Sequence, residues 1–240
     1  MCTVTYIPLS DGFALSSNRD ETPLRANNPL TTETIGKHEV IYPKDTKGGS
    51  WLFASNKGEV VCVLNGAFIK HKHQPPYRMS RGLIARNYFN YDHPRAFLRE
   101  VDLKGIEPFT MVIGSTSWLY VLRWNEREKH IDILDPCSNH IWSSSTLYDP
   151  EMVSKRKTWF ESYVKDHPTL DMKDVRYIQR NGSVGDPTQD YIMNRMDLVK
   201  TVSISHVHVS SDKVDFHFEN LVHNKLDTAS LMVNHLFTIQ

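Results

Sequence analysis

The second residue of the chain is a cysteine, and its position matters more than its type. Excision of the initiator Met1, which a small second residue permits, leaves Cys2 with a thiol and a free α-amino group. An α-amino group titrates near about 7.7–8.0, so a fraction is neutral at physiological pH and can take the thiol proton. The thiol itself, at about 8.5, needs only modest help to become a thiolate. Nucleophile and base then sit on one residue. Asn18-Arg19-Asp20-Glu21 is the next polar cluster. The period of two in a strand puts Asn18 and Asp20 on one face and Arg19 on the other. Asp20 is then placed to hold the α-amino group, with Asn18 or Asn65 donating to an oxyanion. The alternative is a solvated strand end carrying a surface ion pair.

The elements that must position these groups follow from patterning. CTVTYIP and FALSSN flank a Ser10-Asp11-Gly12 turn and form a hairpin. Residues 22–50, rich in Pro, Asn and Thr, read as a long connection. WLFAS and EVVCVLN form a second hairpin around Asn56-Lys57-Gly58, and KHKHQPPYR is loop. Helical spacing begins after Ser80, and Pro94 opens a second helix. Strands are predicted at FTMVIGS, WLYVLRW and HIDIL, then a helix from about Asp149 to Val164 with Asp149 as its cap. Residues 168–198 receive no element. TVSISHVHV and KVDFHFE form a hairpin around Ser211-Asp212. Runs of strands, helices, strands, helix and strands favour an α+β protein with layered sheets over a doubly wound parallel sheet. One domain over 1–240 suits the length.

Lys plus Arg and Asp plus Glu balance at 28 each, so no net field points to nucleic acid or anionic lipid. No stretch approaches the roughly 18 apolar residues of a membrane helix. The amino-terminal residues show neither a basic start nor a long apolar run, and the three cysteines, Cys2, Cys62 and Cys137, form no disulfide framework. A cytoplasmic location is expected. No Gly-rich phosphate loop occurs.

Other signals carry less. His71 and His73, and His206 and His208, are spaced to pair, yet no carboxylate or cysteine stands at convincing ligand spacing in sequence. Cys62 reads as core, Cys137 as a turn residue without a base, and Trp159, Phe160 and Tyr163 as a packing face. Asp190, Tyr191, Asn194 and Arg195 are polar with no assigned mechanism.

MCT at the start, NRDE at 18–21, GGSWL at 48–52, a strand ending in Asn65, and SRGLI at 80–84 occur in one order. This set resembles the NRDE family, which includes the transport and Golgi organisation protein 2 homologues. The resemblance implies an N-terminal-nucleophile hydrolase fold, a four-layer αββα sandwich, similar to choloylglycine hydrolases and penicillin V acylases. It implies a cysteine amidohydrolase acting on a linear (N-acyl) amide without a cofactor. Cys2 would be the nucleophile, Asp20 the partner of its amine and Asn65 the oxyanion donor. Trp51 would line the pocket or be a core residue; Arg81 would orient an acid or pair at the helix start. The chain departs from the pattern in three places. Choloylglycine hydrolases have Arg three residues before the Asp, where this chain has Ser17, with Arg19 nearby. Ser144 stands for an expected Asn, and Lys200 for an expected Arg. The alternative on the same scaffold is a non-catalytic protein that holds a lipid-like, acyl or haem-type ligand.

Overall fold

The computed structural model describes residues 2–25, 29–45 and 49–234 and contains two seven-stranded antiparallel sheets. The first sheet begins with the predicted hairpin, β1 (Cys2–Leu9) and β2 (Gly12–Glu21). Gly12 is fixed by crowding, since a Cβ there would stand 1.8 Å from the Val209 carbonyl oxygen. The second sheet is a meander in chain order. It runs β3 (Leu30–Ile35), β4 (His38–Pro43), β5 (Leu52–Ser55), β6 (Val60–Asn65), β7 (Phe109–Gly114), β8 (Leu119–Trp124) and β9 (Lys129–Leu134). The chain then returns to the first sheet with β10 (His140–Ser143), β11 (Asn194–Arg195), β12 (Val199–Ser210), β13 (Lys213–Asn220) and β14 (Lys225–Met232). Its order is β10-β1-β2-β12-β13-β14, with β11 paired to β12.

Among the described residues, four α-helices accompany the sheets. α1 (Arg81–Asn87) is capped by Ser80, whose hydroxyl accepts from the Leu83 amide, and α2 (Pro94–Glu100) carries Pro at its first position. α3 (Pro150–Asp166) starts at Asp149, whose side chain accepts from the Met152 amide. α4 (Met172–Asn181) opens with a reciprocal box, in which the Asp171 and Asp174 side chains each accept from the other's backbone amide.

Alternation along β2 shows how the layers are specified. Phe13 and Leu15 join a core with Leu52, Cys62, Val112 and Val121 of the second sheet. Ala14, between them, packs with Phe160 of α3 and Val175 and Ile178 of α4. On the far side of the second sheet, Val40, Phe53 and Met111 pack with Ile84 of α1 and Phe97 of α2. Every residue of β2 from Phe13 to Asp20 is buried, so its polar end is buried too. That is the feature on which the site depends.

Several segments differ from the sequence expectation. The connection at 22–50 contains the β3–β4 hairpin, turned at Gly36 with φ +60°. Its Thr-rich β3 lies at the sheet edge, where polar residues are tolerated and apolar alternation is weak. α4 lies in the unassigned 168–198 stretch because only Val175, Ile178 and Gln179 of it are buried, too short a stripe to stand out. β10 and β14 also went unread; both are edge strands of the first sheet.

Candidate active site

The NRDE segment sits mid-sheet, with β1 on one side and β12 on the other. Cys2 stands opposite Arg19 in the β1–β2 register, and Thr3 opposite Asn18. The Cys2 side chain and Gly48 lie outside the described residues. Alternation divides the cluster as expected: Asn18 and Asp20 face the helices, and Ser17 and Arg19 face the second sheet.

On the helix side, Asp20 is completely buried. Its Oδ2 accepts from the Tyr148 hydroxyl at 2.9 Å and its Oδ1 from the Thr201 hydroxyl at 2.7 Å. Burial pushes its carboxyl up, opposed by the guanidinium of Arg156 and by these hydroxyls. A carboxylate has about four acceptor positions, so two remain for an ammonium. Arg156, from α3, has no exposed surface. Its guanidinium carbon lies 4.1 Å from the ring centre of Tyr148 and 4.6 Å from that of Tyr191. It donates to the carbonyls of Gln189 and Asp190 and to the hydroxyl of Thr3. Asn18 spends its amide on the carbonyls of Gln179 and Tyr191, both at 2.8 Å. With both protons so used, Asn18 braces β2 against the 179–191 segment and has no proton left to donate to an oxyanion.

On the other face a cleft of about 130 Å³ opens beside Arg19, Trp51, Asn65 and Arg81. Trp51 belongs to the core between the sheets and also forms a wall of the cleft. Its indole Nε1 donates to Ser17 Oγ at 3.2 Å, and the Arg19 guanidinium carbon lies 4.4 Å from the ring centre. Arg19 Nη1 donates to the Arg25 carbonyl at 3.3 Å. Arg81 pairs with Glu107 at 3.1 Å while still lining the cleft. The first turn of α1 approaches closely because residue 82 is glycine: a Cβ there would meet the Ser50 carbonyl oxygen at 2.3 Å. The glycine of the SRG motif therefore sets one wall of the cleft.

The two substituted positions are placed differently. Ser144 Oγ donates to the backbone carbonyl of Asn65 at 2.8 Å, so it ties β10 to the end of β6 rather than lining the cleft. Lys200 directs its ammonium to Asp197 at 3.1 Å and is not among the cleft residues.

The histidine pairs also find partners. His71 and His73 both contact Glu107 Oε1 at 3.0 Å, and no metal-binding group occurs among the described residues. Burial pushes the Glu107 carboxyl up, but Arg81 and the two histidines outweigh it and hold it below the usual range. His206 shares a hydrogen bond with Ser16 at 2.8 Å, and burial pushes its imidazole down to about 3. His208 contacts Asp11.

Arg156, Tyr148 and Thr201 were not read from the sequence as site residues. Arg156 did carry a signal, because it lies between the buried Met152 and Phe160 at i±4 on the inner stripe of α3. A charge in that place needs partners, and Tyr191 is one of them.

Among solved structures, the same fold occurs in an acylase and a hydrolase. Penicillin V acylase from Agrobacterium tumefaciens aligns with TM-score 0.63 and 9% identity, covering 96% of this chain and 86% of that one. A variant of the conjugated bile acid hydrolase from Clostridium perfringens aligns with TM-score 0.57 and 8% identity, covering 96% and 92%. No curated protein sequence matches significantly. The Transport and Golgi organisation 2 family model matches residues 1–228, and the chain belongs to that family. Among the described residues no helix is long and apolar enough to cross a membrane.

Proposed function

We propose that the chain is a cytoplasmic N-terminal-nucleophile cysteine amidohydrolase for a linear (N-acyl) amide, one domain of four αββα layers. The observation that supports this reading is the backbone register that sets Cys2 opposite Arg19, the neighbour of Asp20 in β2, with Arg19 and Asn65 both lining the cleft. Once Met1 is removed, the thiolate of Cys2 attacks the amide carbonyl, and Asn65 with a backbone amide receives the oxyanion. Asp20 holds the α-ammonium, which gives its proton to the leaving amine as the C–N bond breaks. Water then cleaves the thioester, releasing a carboxylate and restoring the thiol. No cofactor enters.

The test is an N-acyl amide screen with wild-type and Cys2→Ala protein, preceded by intact mass to confirm loss of Met1. Hydrolysis that vanishes in Cys2→Ala supports the mechanism. Hydrolysis that survives the substitution, or retention of Met1 in an active protein, sinks it.

The binding-only alternative draws on Ser144 and Lys200, neither of which joins the cleft. Against a lipid or haem-type ligand stands the size of the cleft, about 130 Å³ where pockets for drug-sized ligands occupy roughly 300–1,000 Å³. A copurified ligand retained by Cys2→Ala, with no turnover of any amide, would decide for binding.

A further inference from the structure

A second cleft, of about 460 Å³, opens between α3 and α4 and shares no residue with the one beside Arg19. Its wall is built from Trp159, Ser162, Tyr163, Asp166 and His167 at the α3 end and from Tyr177 of α4. Helical spacing puts Trp159, Tyr163 and the 166–167 pair on one stripe of α3. The packing face expected of Trp159, Phe160 and Tyr163 is thereby divided. Phe160 is buried in the core with Val175 and Ile178, whereas Trp159 and Tyr163 are half-buried and Tyr177 is 50% exposed. Rings of this size forgo much apolar burial by standing at a surface, and their gathering around one cleft calls for an explanation.

Tyr163 is the middle of the group. The His167 ring lies 4.0 Å from it at an interplanar angle of 12°, and covers one face. Trp159 and Tyr177 stand at 5.7 and 5.3 Å, tilted by 18° and 22°, so they are offset from Tyr163 and part of each ring face stays uncovered. The polar atoms of the rings are committed elsewhere. The Tyr163 hydroxyl donates to Asp174, and His167 Nδ1 contacts the Tyr163 carbonyl oxygen. Asp166 is the only carboxylate in the wall, and no cation pairs with it among the described residues. It is also the last residue of a 17-residue helix, where the aligned peptide dipoles already make the potential negative. An acid there adds to a field that a cation would relieve. Neither Lys165, in that same turn, nor Lys173 of α4 belongs to the wall.

Aromatic faces attract a cation through the ring quadrupole, and they also favour an apolar surface. A metal ion or a primary ammonium would surrender hydrogen-bonded water on entering such a cleft, with few oxygens to replace it. A quaternary ammonium carries its charge beneath methyl groups and has no N–H to leave unpaired. We propose that the α3–α4 cleft is a binding site for a quaternary ammonium of the choline kind, its methyl groups against Trp159, Tyr163 and Tyr177 and its charge answered by Asp166. The site is independent of the reaction proposed for Cys2. A free solute is the favoured source, because the phosphate of a phospholipid headgroup would meet Asp166.

The test is a titration of the full chain with choline and with dimethylbutanol, its isostere with carbon in place of the nitrogen, following the ring resonances of Trp159 and Tyr177 by NMR. Choline is expected to shift both rings and to bind about tenfold more tightly than the neutral isostere. Tyr177→Leu should weaken choline about fivefold, whereas Tyr177→Phe, which keeps the ring, should retain it. Asp166→Asn should weaken it about threefold, the share of an exposed charge. Both positions are exposed, and an unchanged unfolding temperature checks that the variants keep the fold. Phosphocholine should bind more weakly than choline; tighter binding of it would assign the same cation site to a phospholipid headgroup. Equal affinity for choline and dimethylbutanol would reduce the cleft to an apolar groove and overturn the proposal. So would choline that leaves both rings unmoved, or binding indifferent to Tyr177→Leu and Asp166→Asn alike.

Discussion

The two faces of β2 carry adjacent residues into opposite kinds of environment. Towards the helices, Asn18 and Asp20 enter a network with Arg156, Tyr148, Tyr191 and Thr201. Towards the second sheet, Ser17 and Arg19 meet Trp51, a cleft, and serine hydroxyls with no partner among the described residues. Hydrogen bonds and ring contacts that reach from one strand to elements distant in sequence hold that strand in place. The same strand thus gives adjacent residues two different environments by the alternation of its side chains.

The comparison breaks first at Arg156. Arg156→Met leaves Asp20 without its compensating cation and strips the Gln189 and Asp190 carbonyls of a donor. A loss of about 3–5 kcal/mol is expected in urea unfolding. A loss under about 1 kcal/mol would mean that the helix-side network is not what secures β2.

The buried His206 sharpens the same side. Its imidazole is depressed to about 3, with Arg176, His217 and Arg180 adding to the effect of burial. The unfolded chain therefore takes up this proton first, and stability present above about pH 6.5 is lost as the pH falls towards 3, at about 1.4 kcal/mol per unit. His206→Gln should flatten that part of the stability–pH curve. Parallel curves for the two proteins would remove His206 as a source of acid lability.

On the cleft side the expected effect is smaller. Trp51→Phe keeps the ring against Arg19 but removes the indole donor to Ser17 Oγ. It should cost about 1–2 kcal/mol in thermal unfolding. A cost as large as that of Arg156→Met would make this face part of the structural network after all. Smallest is Lys200→Ala, which breaks only the pair with Asp197. It should change stability by less than about 0.5 kcal/mol and leave Cys2 alkylation unchanged; a changed alkylation rate would bring Lys200 back into the site.

Much of the fold was legible because its signals are local. Alternation marked β1, β2, β5 to β9, β12 and β13, helical spacing marked the stretch after Ser80, and the cap at Asp149 marked the start of α3. The β3–β4 hairpin and α4 escaped because their apolar stripes are short and their burial depends on neighbours distant in sequence. At the candidate site the NRDE cluster stood out by composition, whereas Thr201 comes beside Asp20 from 181 residues away. Ser144 and Lys200, aligned by motif, were placed by tertiary contacts outside the cleft.

By itself the sequence determined that Asp20 and Arg19 face opposite ways, since alternation is a property of the extended backbone. It also placed a cysteine where one cleavage would give it an amine. Only the tertiary structure decided what each face meets. Register between distant strands is set by burying whole apolar sets at once, and that choice brought Thr201 to Asp20, Ser203 to Arg19, and Arg156 into the space between two tyrosines.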